Sequence, residues 1–66
     1  MTVTINGTPR DITAPQTISS LLDILGLGGK PVVVELNREA ISPRDHATTA
    51  ITDGSALEIV TLAAGG

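Results

Sequence analysis

Thr2-Val3-Thr4-Ile5 alternates polar and apolar side chains, the period of two that a strand with one buried face requires, and Asn6-Gly7 follows it as a hairpin turn. A second strand is expected to return over about Thr8 to Thr13. Pro9 has no N–H to give to a ladder, which places that strand at a sheet edge with its proline directed to solvent. Ala14-Pro15-Gln16 breaks the alternation, and the period then changes. Ile18, Leu21, Leu22 and Leu25 recur at helical spacing behind Thr17, which stands where an N-cap belongs. Gly26 is placed to end that helix in a left-handed cap, and Gly28-Gly29-Lys30-Pro31 cannot continue it.

Val32-Val33-Val34-Glu35-Leu36 is short, β-branched and apolar on both parities at its start, as a central strand covered on at least one face should be. Asn37-Arg38 turns it into a short strand around Glu39 to Ser42, which Pro43 closes. Arg44 to Ala50 reads as a polar connection with Ile51 as its anchor, Asp53-Gly54 as a turn, and Ala56 to Leu62 as the last strand. The order is hairpin, helix, strand, short strand, strand. One short helix can cover only one face of a small sheet, so the pattern predicts a two-layer α+β domain. Its expected core is Val3, Ile5, Ile12, Ile18, Leu21, Leu22, Leu25, Val32, Val34, Leu36, Ile41, Ile51, Leu57 and Ile59.

At 66 residues there is room for one domain, near the lower limit at which a single core holds a chain together. The absence of cysteine excludes disulfides, thiolate metal sites and any nucleophilic or sulfur-relay cysteine on this chain. There are no aromatic residues on which bases could stack, and a net charge of -3 has the wrong sign for a phosphate backbone, so nucleic acid is not an expected partner. A charged partner is expected to be locally basic. The first residues carry no basic region and no long apolar run, so the expectation is a cytoplasmic protein without a membrane segment.

Candidate chemistry is sparse. Gly26-Leu27-Gly28-Gly29-Lys30 has the glycines of a phosphate cradle, but it follows a helix and precedes a strand, the reverse of a P-loop, and Lys30 is followed by Pro31. It is better read as a helix cap and turn. His46 has no second ligand at metal-binding spacing and reads as a partly exposed loop residue. The carboxylates show no spacing that nominates an acid/base pair, and no serine has a histidine placed by a known motif.

What remains is Ala63-Ala64-Gly65-Gly66. At ordinary glycine usage two terminal glycines arise by chance in roughly one chain in two hundred. Frayed ends are often glycine-rich too, but a slim Gly-Gly end has a chemical use. A carboxylate becomes an acyl donor only after activation, and to reach a nucleotide in another protein's active site it must pass a narrow channel. Glycine lacks the Cβ that would clash there and accepts whatever φ and ψ the channel imposes. Residues 1–62 are therefore expected to form the domain, and 63–66 a flexible tail carrying one reactive carboxylate.

The whole chain resembles a family. I-N-G at 5 to 7, T-I-S-S-L-L at 17 to 22, V-V-V-E-L-N at 32 to 37, I-S-P-R at 41 to 44, D-G at 53 to 54, L-E-I-V at 57 to 60 and the terminal A-A-G-G are together similar to the ThiS-like sulfur carriers of thiamin (thiazole) biosynthesis. The resemblance implies a ubiquitin-like β-grasp, a mixed four- to five-stranded sheet with one main helix packed on one face. It also implies a carrier that is not itself an enzyme and binds no cofactor. An E1-like adenylyltransferase would use ATP and magnesium to activate the Gly66 carboxylate, and sulfur from a cysteine-desulfurase-derived donor would convert it to a thiocarboxylate. Thiazole synthase would accept that sulfur. Gly65 would be the slim residue behind the reactive end, Ala63 and Ala64 part of the arm, and Val60 and Leu62 apolar partner contacts beside it. Many family members carry an acid after the glycine of the turn before the last strand, where this chain has Gly54-Ser55; the expectation is that a surface facing a partner loses a charge. Rival readings are a sulfur carrier for molybdopterin synthesis, a ubiquitin-like modifier joined to lysines through Gly66, and a plain binding module that needs no free Gly-Gly end.

Overall fold

The computed structural model describes residues 1–62. β1 (Thr2–Ile5) and β2 (Thr8–Asp11) form the opening hairpin, and two-residue β3 (Gln16–Thr17) leads into α1 (Ile18–Ile24). β4 (Val32–Leu36) and β5 (Glu39–Ile41) form a second hairpin. A 3-10 turn (Pro43–Asp45), the short β6 (Ala50–Ile51) and β7 (Ala56–Thr61) complete the order.

The main sheet has five strands in the order β2-β1-β7-β4-β5, and β3 pairs with β6 in a separate two-stranded ribbon. β7 lies in the middle, parallel to β1 and antiparallel to β4, so the sheet is mixed. The interior position expected for Val32–Leu36 holds, with β7 rather than β4 at the centre. The second strand stops at Asp11 instead of running to Thr13, because Ile12 turns into the core while its N–H still bonds the Met1 carbonyl at 2.8 Å. That bond fixes the alternation of the antiparallel ladder, in which Thr4 and Pro9 fall at a non-hydrogen-bonded pair. The nitrogen of Pro9 therefore points away from β1, on the edge strand.

One face of the sheet meets α1. Val3, Val34, Leu57 and Ile59 from the strands pack with Ile18, Leu21 and Leu22 of the helix, and Ile12 and Ile51 close the sides. Ile5, Leu25, Val32, Leu36 and Ile41 pack against this cluster half-buried, as do Met1 and Leu27, which the pattern of the chain did not place in the core.

The helix is short because both of its ends are built in. Thr17 caps it, accepting from the Ser20 N–H at 3.2 Å while the Ser20 Oγ accepts from the Thr17 N–H at 2.8 Å. Ile18 and Ser19 donate to the carbonyls of Thr49 and His46 at 3.1 and 3.0 Å, so the opening amides are satisfied by the connection between β5 and β7. At the other end Gly26 takes φ +74, its N–H reaches the Asp23 carbonyl at 3.1 Å, and Leu27 N–H reaches the Leu22 carbonyl at 2.8 Å. This is a Schellman cap. It uses the first amides of the glycine-rich loop, and a Cβ at Gly28 would collide with the Asp23 carboxylate, so the loop is packed down on the helix as a cap and turn.

Two expectations are corrected here. His46 is not a partly exposed loop residue: it is buried, and its Nε2 donates to the Ile41 carbonyl at 3.1 Å, tying the 3-10 turn to β5. It anchors that connection together with Ile51. Ser55 does not lie on a partner-facing surface either; it is 3% exposed, with its Oγ accepting from the Thr52 N–H at 3.2 Å. The residue after Gly54 shapes the turn into β7 from the inside, so the missing acid leaves the outer surface unchanged.

Candidate functional site

The feature that the fold presents is the end of β7. This strand takes its ladder from both sides, with Thr4 and Ile5 of β1 opposite Ala56 and Leu57, and Val32 to Leu36 of β4 opposite Thr61 to Leu57. Two asparagines extend that ladder where the neighbouring strands run out. Asn6, at φ 50 in the first turn, accepts from the Ile59 N–H at 2.7 Å and donates to the Ile59 carbonyl at 3.0 Å with its side-chain amide. Asn37, at φ 51 in the second turn, donates its backbone N–H to the Ala56 carbonyl at 2.7 Å and accepts from the Ala56 N–H at 2.9 Å through Oδ1. A planar amide copies the donor and acceptor of a peptide group, so each turn asparagine stands in for one more strand residue. Both serve β7.

The strand ends at a last rung, the Leu62 N–H on the Pro31 carbonyl at 2.9 Å. Ala63, Ala64, Gly65 and Gly66, the expected arm and reactive end, lie outside the described residues. Of the two expected partner contacts, Val60 is 58% and Leu62 is 52% exposed, each about as exposed as a surface lysine, although both are aliphatic. They do not stand alone. Val33 is directly opposite Val60 in the β4–β7 register and is itself exposed. It was missed because three consecutive valines hide the parity: Val34 faces the core and Val33 the opposite side. Leu62 lines the mouth of an open groove of about 470 Å³ shared with Leu27, Pro31, Val32 and His46.

The side of the sheet away from α1 is otherwise polar. Along β7 it carries Ala56, Glu58 and Val60, with Glu35 facing Glu58 and Ala40 facing Glu35. The surface at the root of the tail is thus an aliphatic patch with acids behind it. Among the described residues no three His, Asp or Glu come together as a metal site, and no helix is long and apolar enough to cross a membrane.

A carrier-like layout of this kind has a counterpart in known proteins. The model of the ThiS family matches residues 3–66. The chain belongs to the ThiS family. The fold agrees: the crystal structure of the thiamine biosynthesis protein ThiS from Geobacter metallireducens superimposes with a TM-score of 0.85 at 30% identity, each chain covered over 100% of its length. A solution structure of a thiamine biosynthesis protein from the same organism gives 0.83 at 32% identity, covering 100% of this chain and 88% of that one. The β-grasp expected of a ThiS-like sulfur carrier in thiamine biosynthesis is therefore the fold observed, with a five-stranded mixed sheet and one helix on one face. Over 66 residues the chain is 39% identical to a thiazole synthase of Paramagnetospirillum magneticum; the match takes in 100% of this chain and 20% of that much longer protein. It is also 29% identical to the uncharacterized protein ycf40 of Porphyra purpurea, across 93% of that protein.

Proposed function

We propose that this ThiS-family chain carries sulfur on the carboxylate of Gly66, loaded by an E1-like adenylyltransferase and delivered to thiazole synthase for the thiazole ring of thiamin. The observation that supports this most is the design of β7. The central strand, held on both flanks and stitched by Asn6 and Asn37, runs straight into Ala63-Ala64-Gly65-Gly66 beside an exposed aliphatic patch. Such a layout gives a partner a rigid handle to hold and a slim end to admit.

In this reading the Gly66 carboxylate attacks the α-phosphorus of ATP, held with magnesium by the partner, and pyrophosphate leaves. The acyl-adenylate is then open to a sulfur nucleophile, which displaces AMP and leaves the thiocarboxylate. Gly65, without a side chain, lets the end reach the nucleotide; Ala63 and Ala64 span the distance to the domain. The chain supplies the carboxylate and the docking surface. The catalytic groups and the bound nucleotide belong to the partner, and the need for ATP and a desulfurase-derived sulfur donor places the work in the cytoplasm.

The test is pyrophosphate exchange with an E1-like adenylyltransferase that is active on its own carrier. Native chain is expected to support exchange, and a chain extended by one alanine after Gly66 is expected to support none. Equal exchange by the extended chain would leave only a binding role.

A further inference from the structure

The β4–β7 register sets Glu35 directly opposite Glu58. Because Leu62 N–H bonds Pro31 at the end of the ladder, alternation makes Val33–Val60 and Glu35–Glu58 hydrogen-bonded pairs, with Cα atoms about 5.5 Å apart. Both side chains project from the face away from the helix, and both are exposed. Like charges directly opposite one another in a sheet destabilise it. Nothing nearby relieves the pair. The strand residues sharing that face are Thr2, Thr4, Pro9, Asp11, Val33, Ala40, Ala56 and Val60, none of them basic, while Arg10 stands opposite buried Val3 and so points to the other side. The remaining acids of this region are engaged: Asp11 accepts from Thr2 Oγ1 at 2.6 Å, and Asp53 from the Thr2 N–H at 2.8 Å. Among the described residues no hydrogen bond reaches the Glu35 or Glu58 carboxylates.

The repulsive pair lies one rung behind the exposed Val33–Val60 pair, on the strand that leads to the tail. A cation placed between the two carboxylates would relieve the repulsion, and a planar guanidinium can bond both at once. We infer that Glu35 and Glu58 form a clamp for an arginine of the adenylating partner, seated as aliphatic side chains of that partner cover Val33 and Val60. This rests on the carrier reading and deepens it. The valines bring non-directional burial; the clamp fixes register along β7, and so where the tail enters the partner's active site.

Pyrophosphate exchange with carrier concentration varied tests the clamp, using native chain, the double variant Glu35→Gln/Glu58→Gln, Glu35→Lys and Glu39→Lys. Glu39 is opposite Leu36, on the helix side of the sheet, so Glu39→Lys changes net charge as Glu35→Lys does without touching the clamp. The KM for the double variant is expected to rise about tenfold or more with kcat within about twofold, the signature of lost uniform binding. Glu35→Lys is expected to lose more, Glu39→Lys to stay near native, and the salt dependence of kcat/KM to flatten in the double variant. The double variant is also expected to resist urea at least as well as native chain, which separates lost docking from lost folding. An unmoved KM in the double variant, or an equal rise in Glu39→Lys, overturns the clamp while native exchange keeps the carrier reading. Absence of exchange by native chain removes both.

Discussion

Asn6 and Asn37 show how much a single side chain contributes when it replaces a piece of backbone. Each sits in the left-handed region that asparagine tolerates and most residues do not, and each satisfies a peptide group of β7. Asn6→Gly keeps the turn's φ accessible and removes only the amide. It leaves the part-buried N–H and carbonyl of Ile59 without this partner, at an expected cost of about 2–3 kcal/mol in urea unfolding. Asn6→Ala is expected to cost more, because it adds backbone strain to the lost bonds. The sequence shows Asn6-Gly7 as a turn and nothing further, since the residue that Asn6 serves lies 53 positions away. His46 and Ser55 were illegible for the same reason: both are polar residues in a loop, and only tertiary structure provides the partners that allow them to be buried.

At the scale of elements, what could be read was whatever carried its own local signal. α1 announces both its ends, and the structure has a capping box at Thr17 and a Schellman cap at Gly26. Thr17→Ala is expected to cost about 1 kcal/mol through the lost cap. Gly26→Ala is expected to cost a similar amount, about 1 kcal/mol, because φ +74 is strained for any residue with a Cβ. Thermal or urea unfolding measures both. β3 and β6 were not legible, since two residues are too few to show a period, and they pair only because the connection after β5 is carried across the start of the helix. The candidate site was half legible for a related reason. Val60 and Leu62 belong to an alternating strand whose outer parity can be counted, whereas Val33 and the Glu35–Glu58 pair emerge only from the register of β4 against β7.

Across the whole molecule, a small aliphatic core is arranged to make one strand rigid. Leu57 is 1% exposed and lies at the meeting of the helix with the middle of the sheet, so Leu57→Ala is expected to destabilise the domain by about 2–5 kcal/mol and to abolish carrier activity indirectly. Val60→Asp changes an exposed residue instead, and is expected to weaken docking to the adenylating partner while unfolding stays near native. The two variants divide what the domain needs to fold from what it needs to be recognised. The central claim concerns the far end of β7, and the most direct measurement is the intact mass of the chain after incubation with ATP, magnesium, an E1-like adenylyltransferase active on its own carrier, and sulfide. The account predicts a gain equal to replacing one oxygen by sulfur, mapped by fragmentation to Gly66. An unchanged mass, with the enzyme still loading its own carrier, would contradict it.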